Sequence, residues 1–291
     1  MPYAIGIDVG GTHLRVALID GGGKILNRRA EVVGEARDPA PFFARLAGSI
    51  RETAGEYLPK ISGVGLGLPG ICNGREKVIH QLPHFPAWRD VSVVDLLQKE
   101  FDCPIVFDND ANMAAVGEHW KGIAAHWPSF IMLTLGTGIG GGVFLNGKIW
   151  QGEEGFAGEV GHMVIDRNGP ACICGQKGCW EVYAASQSVP KGTTAEKLSQ
   201  EASAGDAQAR LFWKNFGAAL GVGILNLAHI TGVEHFVIGG GIGKAFDHFI
   251  ASAKNSIQKG AYPRLSEKIV VFPTALDGNA ALLGCAASVL C

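Results

Sequence analysis

No run of apolar residues reaches the ~18 expected of a membrane-spanning helix, and Met1-Pro2-Tyr3-Ala4-Ile5-Gly6 lacks the basic-then-apolar layout of a secretory leader. A cytoplasmic protein is expected. Charge of one sign is also lacking: 25 Lys plus Arg against 27 Asp plus Glu leave a net charge of −2. That is no footprint for nucleic acid, and an anionic substrate must be held by local dipoles. No linker or low-complexity stretch interrupts the 291 residues, of which 47% are apolar, enough to bury the cores of about two domains. A disulfide framework finds no support either. Seven cysteines is an odd number, and Cys172, Cys174 and Cys179 crowd together while Cys72, Cys103, Cys285 and Cys291 are scattered, a pattern that favours a metal.

Glycine is the surplus, at 42 residues of 291, about twice the usual ~7% and without the period of collagen. The runs YAIGID (3–8) and LRVALID (14–20) flank VGGTH, and a third β-rich run lies near 25–33. This predicts an antiparallel meander. A helix over 39–57, the strand GVGLGLPG (63–70), a helix near 91–101 and the strand CPIVF (103–107) follow, the alternation of an α/β layered fold. FIMLTLGTGIGGGVFLNGK (130–148) repeats the opening design, so the chain reads as two similar halves. A helical run over 207–230 is too apolar for a surface helix. HFVIGG (235–240) and VVFPT (270–274) read as strands, and an Ala-rich segment over 278–290 as the closing helix. The expected division lies near residue 113: an N-terminal α/β lobe over 1–113, completed by the last helix (278–291), and a C-terminal lobe over 114–277 carrying the Cys-rich segment.

Two nucleotide motifs fail on context. Gly136-Thr137-Gly138-Ile139-Gly140-Gly141 satisfies GxGxxG, but a strand and an Asn-Gly turn follow where a dinucleotide site requires a helix. Gly142 to Lys148 approaches a phosphate loop, but Ile149 stands where a hydroxyl must reach magnesium. Three glycine-rich turns of another kind each follow an apolar strand: Asp8-Val9-Gly10-Gly11-Thr12, Gly136-Thr137-Gly138-Ile139-Gly140 and Gly239-Gly240-Gly241-Ile242-Gly243. Such turns can merely close hairpins, or they can aim backbone N–H groups at phosphate oxygens, with Thr12 and Thr137 adding hydroxyls. Asp8, at a strand end, suits a hydrated magnesium.

Asp108-Asn109-Asp110-Ala111-Asn112 precedes a helical segment. One acidic residue there could serve only as a cap. The functional reading has Asp110 take a proton from a substrate hydroxyl while Asn109 orients that substrate, the helix dipole keeping Asp110 ionised. His162 with Cys172, Cys174 and Cys179 supplies one imidazole and three thiolates, a closed tetrahedral zinc set whose metal is structural. Glu159 and Glu181 flank these ligands. Held apart from the metal, both carboxylates can bind sugar hydroxyls bidentately.

Together DVGGT (from Asp8), GLPG (from Gly67), DNDAN (from Asp108), LGTGIGGG (from Leu135), EGFAGEVGH (from Glu154), CICGQKGC (from Cys172) and GGGIG (from Gly239) resemble the ROK family of repressors, open reading frames and sugar kinases. The resemblance covers essentially the whole chain. It implies a two-lobed actin-like (ribonuclease H-like) ATPase fold with an inserted structural zinc segment, and ATP-dependent phosphorylation of a hexose, typically at C6. It further implies Asp110 as base and Gly67, Asn109, Glu159, His162 and Glu181 as sugar contacts, His162 serving both zinc and sugar. Gly10, Gly11, Thr12, Thr137 and Gly138 match the phosphate loops, with Asp8 toward magnesium, and Gly240 and Gly241 match the adenosine side. ATP, Mg²⁺ and structural Zn²⁺ are the implied cofactors, and a homodimer the implied assembly. His13 departs from the Lys usual after DVGGT, which removes one positive contact to ATP. The segment His84 to Arg89 resembles the Gly-Trp stretch of family glucokinases and favours glucose over N-acetylglucosamine, N-acetylmannosamine, fructose or mannose. Repressors of the family carry a helix-turn-helix domain ahead of the body, and Asp8 stands too near residue 1 for one. A non-catalytic sugar sensor is expected to lose Asp110 or a phosphate turn, and both are present.

Overall fold

The computed structural model describes residues 2–34, 38–73, 77–82, 85–260 and 262–291. They form two compact units, one of Met1–Trp127, Lys148–Ala157 and Ala275–Cys291, the other of Pro128–Gly147 and Gly158–Thr274.

In unit one, β1 (Tyr3–Val9), β2 (His13–Asp20) and β3 (Ile25–Val32) make the antiparallel meander. Helix α1 (Pro39–Ala54) opens on a proline, whose fixed φ suits a first helical turn, and buries Phe42, Phe43, Leu46 and Ile50. It stops at Gly55, where φ is +52°. Strand β4 (Ile61–Leu68) then pairs parallel to β1. A small antiparallel sheet of β5 (Ile71–Asn73), β6 (Val78–Leu82) and β7 (Phe85–Ser92) occupies a stretch where sequence periodicity signals no strands, because β5 and β6 are short and the pairing register shifts. After α2 (Val93–Gln98), strand β8 (Ile105–Asn109) runs parallel to β4 and passes directly into α3 (Asp110–Lys121). The main sheet is ordered β3-β2-β1-β4-β8. Residue 113, where chain order suggests a division, sits within α3.

The C-terminal helix (Ala280–Leu290) packs on β1, β4 and α3. It approaches more closely than side chains permit. A Cβ at Gly65 would lie 1.9 Å from the Cys285 carbonyl oxygen, and one at Gly284 would lie 1.7 Å from that of Met113. Glycine at these positions therefore sets the spacing of helix and sheet.

Unit two repeats the pattern: β9 (Phe130–Leu135) and β10 (Ile139–Leu145) are antiparallel, and strand His235–Gly239 pairs parallel to β9 and to strand Val270–Pro273. Its helices include the single-turn α4 (Glu181–Ala184), α5 (Ala195–Ser203), α6 (Ala207–Thr231) and α7 (Phe246–Gly260). Helix α6 is long and apolar enough to cross a bilayer by length and composition alone. Here it buries Trp213, Phe216, Leu220, Ile224 and Leu227 in the core with Ile131, Leu133 and Phe236 of the sheet, as a core helix does.

Candidate functional site

In unit one the parallel register aligns the sequence motifs without further adjustment. Asp8 of β1 stands beside Gly67 of β4, and Gly67 beside Asp108 of β8, with Leu68 beside Asn109. The carboxyl ends of parallel strands are where ligands bind in open α/β sheets. The Gly10-Gly11-Thr12 turn closes β1 onto β2 beside Asp8, with Gly10 N–H donating to the His13 carbonyl at 2.8 Å. Thr12 and His13 are exposed there. Asp8 is buried and ion-paired to Arg15, a partner sequence reading missed; it was legible in principle, since a β1–β2 hairpin puts residues 8 and 15 opposite one another.

Asn109, not an acid, caps α3: its Oδ1 accepts from Ala111 N at 2.8 Å and Asn112 N at 3.3 Å. Its Nδ2 donates to the Gly70 carbonyl at 3.0 Å. Asp110 is the first residue of α3, with Oδ1 accepting from Ala111 N at 2.8 Å, and the helix dipole there favours its ionised form. Gly67 lies against this residue; a Cβ on it would come within 3.4 Å of both Asp110 Cα and Cys285 Sγ. Asp108 is buried beneath, accepting from Asn109 N at 2.7 Å, Asn112 Nδ2 at 3.0 Å and Gln151 Nε2 at 2.7 Å. Burial pushes its carboxyl above the usual range, and these three hydrogen bonds oppose the shift only in part. The Cys285 thiol donates to the Ile7 carbonyl at 3.1 Å. Its pKa is pushed well up, first by burial and then by Asp8.

Unit two gathers the remaining residues. One donor atom from each of His162, Cys172, Cys174 and Cys179 lies within 4.8 Å of the others. Cys172 Sγ is 3.7 Å from His162 Nδ1, and Cys174 Sγ is 3.5 Å from Cys179 Sγ. Donors bonded to zinc at about 2.0–2.3 Å in a tetrahedron are roughly 3.5–3.8 Å apart, so the donor set fits that ion. Burial holds the Cys172 and Cys179 thiols up, and a dication lowers them by direct bonding. The segment returns on itself through Gly178, whose φ is +71°. A Cβ there would lie 1.6 Å from the Asp166 carbonyl oxygen. Trp180 then anchors it, Nε1 donating to the Ala219 carbonyl at 3.0 Å with the ring against Gly223 of α6.

His162 turns Nδ1 toward the thiols and Nε2 toward Glu159, whose Oε2 is 3.8 Å away. Glu181 is buried, and its Oε1 accepts from Gln187 Nε2 at 3.1 Å. The expectation that both carboxylates stand apart from the ligand set holds less well for Glu181, because Oε1 also lies 3.1 Å from Cys172 Sγ. The other face of Glu181 meets the second glycine turn: a Cβ on Gly138 would lie 2.5 Å from Oε2. Ser186 holds that turn, donating from N to the Gly136 carbonyl at 2.9 Å and from Oγ to the Thr137 carbonyl at 3.0 Å.

The third turn requires glycine at 240, where φ is +82° and a Cβ would lie 2.3 Å from the Leu135 carbonyl oxygen. Beside it is a cavity of about 540 Å³, lined on one side by Gly241, Ile242 and Lys244 and on the other by Glu196, Ser199 and Gln200 of α5, within the range of small-ligand pockets. The α5 residues were missed although their i, i+3, i+4 spacing marks one helix face. Trp88 is fully buried in an aromatic cluster with Phe42, Phe43 and Phe85, so it packs the core; His84, before it, lies outside the described residues.

Residues 4–290 match the ROK family. A glucokinase of Halalkalibacterium halodurans is 32% identical over 97% of this chain and 93% of its own length. A xylose repressor of Bacillus spizizenii is 30% identical over 99% of this chain and 77% of its own. A solved ROK family glucokinase from Streptomyces griseus, in complex with glucose and AMPPNP, has a TM-score of 0.84 at 25% identity, covering 98% of each chain. A family match from residue 4 to residue 290, joined to the same mixed α/β architecture, makes this chain a member of the ROK family, within the actin-like ATPase superfamily.

Proposed function

We propose that this protein is an ATP-dependent hexose kinase acting on C6 of glucose, with Asp110 as its base. The observation that carries the reading is the register of β1, β4 and β8, which sets Asp8, Gly67 and the Asp108–Asp110 corner side by side at the strand ends. Asp110 accepts the proton of the sugar hydroxyl as its oxygen bonds to the γ-phosphorus; the bond from that phosphorus to the bridging oxygen breaks, and ADP leaves with the electron pair. Gly67, Asn109, Glu159, His162 and Glu181 hold the sugar. The amides of the Gly10-Gly11-Thr12 and Thr137-Gly138 turns hold the phosphates, and Gly240 and Gly241 border the adenosine, for which the cavity at Lys244 has the volume. Asp8 would hold a magnesium ion, which would supply charge neutralisation on the phosphates. His162, Cys172, Cys174 and Cys179 would hold zinc, which would fix the loop that presents Glu159. A cytoplasmic location accords with a site built of reduced thiols.

The repressor relative raises a second reading, a sugar-binding protein without turnover. ADP release with Mg-ATP, measured across glucose, mannose, fructose and the N-acetylhexosamines, separates the two. Turnover with glucose is expected, falling about 10²–10⁴-fold in Asp110→Asn. Turnover on another sugar alone renames the substrate, and sugar binding without turnover in the native protein overturns the kinase reading.

A further inference from the structure

Arg15 lies on β2 directly opposite Asp8 in the antiparallel register, so the two side chains leave the same face of the sheet, next to the Gly10-Gly11-Thr12 turn. Its Nη2 pairs with Asp8, and its Nη1 donates to the Gly278 carbonyl at 2.8 Å, ahead of the C-terminal helix. These contacts engage two of the five N–H groups of a planar fork, and the side chain keeps 35% of its surface exposed. The Asp8 side chain is largely covered while that of Arg15 is partly open, so the guanidinium covers a buried carboxylate and still presents free N–H groups beside the turn.

The pair has a chemical consequence. While Arg15 neutralises Asp8, that carboxylate is engaged; a hydrated dication drawn to Asp8 would compete with the guanidinium for it. The freed fork is still tethered at Gly278 and still stands beside the glycine turn. Its geometry matches two oxygens of a phosphate. We propose that Arg15 is a phosphate-binding residue, parked on Asp8 in the free protein and passed to the phosphates of the nucleotide when Asp8 takes up magnesium. This rests on the reading of Asp8 and its turn as the magnesium-nucleotide side of the site, and it assigns the local positive charge to Arg15.

The test is calorimetry of Mg-ADP, adenosine and glucose on the native protein, Arg15→Gln and Arg15→Lys, with thermal melts of all three. Arg15→Gln is expected to weaken Mg-ADP by about ten-fold or more, the loss of a charge-assisted contact. Adenosine and glucose binding should be unchanged, and Arg15→Lys, which keeps the charge but not the fork, should fall between. Mg-ADP binding that is unaltered or tighter in Arg15→Gln overturns the proposal, because Arg15 then only guards Asp8. Equal losses for Mg-ADP, adenosine and glucose with a lowered melting temperature also overturn it, in favour of a structural tether. A native protein that binds glucose but neither Mg-ADP nor adenosine instead removes the kinase reading, and this inference with it.

Discussion

Asp108 and Asp110, two residues apart, sit in different environments. Asp110 opens a helix and is favoured as an anion, whereas Asp108 is buried and its carboxyl is pushed up by desolvation. The difference has a measurable sign. A carboxyl with a raised folded-state pKa binds its proton more tightly folded than unfolded, so its contribution is most favourable below the ordinary value of about 3.9 and is lost as pH rises through the folded value. Asp108→Asn does not titrate. Its melting temperature relative to the native protein should therefore climb as pH rises from 4, then level off; a difference constant from pH 4 to 8 would show that burial does not govern Asp108. Sequence pattern singles out the DNDAN corner, but only the structure shows that Asp108 is the residue buried there. The same holds for Asp8, legible as a polar residue ending an apolar strand, while Arg15 required the strand pairing.

At the scale of elements, the grouping of His162, Cys172, Cys174 and Cys179 was readable because these donors are close in sequence and their spacing is itself the signal. What spacing could not convey is that Glu181 lies between a ligand thiol and the second glycine turn. Cys174→Ser should lose the zinc and weaken sugar binding more than nucleotide binding, since the loop carrying His162 and Glu159 loses its anchor. Elemental analysis checks the first effect, and calorimetry with glucose and with Mg-ADP checks the second; zinc content equal to the native protein would defeat the metal assignment. The β5–β7 sheet was not legible. Strands β5 and β6 are short, and the register shifts between Ile71 and Cys72 and between Gln81 and Leu82, which breaks the alternation that period-two reading depends on.

For the molecule as a whole, chain order and spatial order part company. Unit one takes residues from three separate stretches, and its last stretch covers the face of the sheet where Leu282, Leu283 and Ala286 bury against Ala4, Ala17 and Ile19. Two such leucines at roughly 1.5–3 kcal/mol each, with the alanine and Cys285 beside them, amount to much of a net stability of about 5–15 kcal/mol. A fragment of residues 1–127 should therefore lack a cooperative denaturant transition and bind a hydrophobic dye, and fusing residues 275–291 to it should restore part of the transition. A cooperative transition in the unfused fragment would refute this. The sequence by itself determined the family, the α/β alternation, the repeated strand-turn-strand design and the grouping of His162 with Cys172, Cys174 and Cys179, because each is written in neighbouring residues whose periodicity or spacing is the physical signal. Only the tertiary structure decided that Asp8, Gly67 and Asp108 share one row, that Arg15 holds Asp8, that α5 faces the Gly241 turn, and that Lys148–Ala157 joins unit one. Those facts depend on contacts between residues far apart in the chain, where backbone pairing and close glycine packing, not local pattern, select the partners.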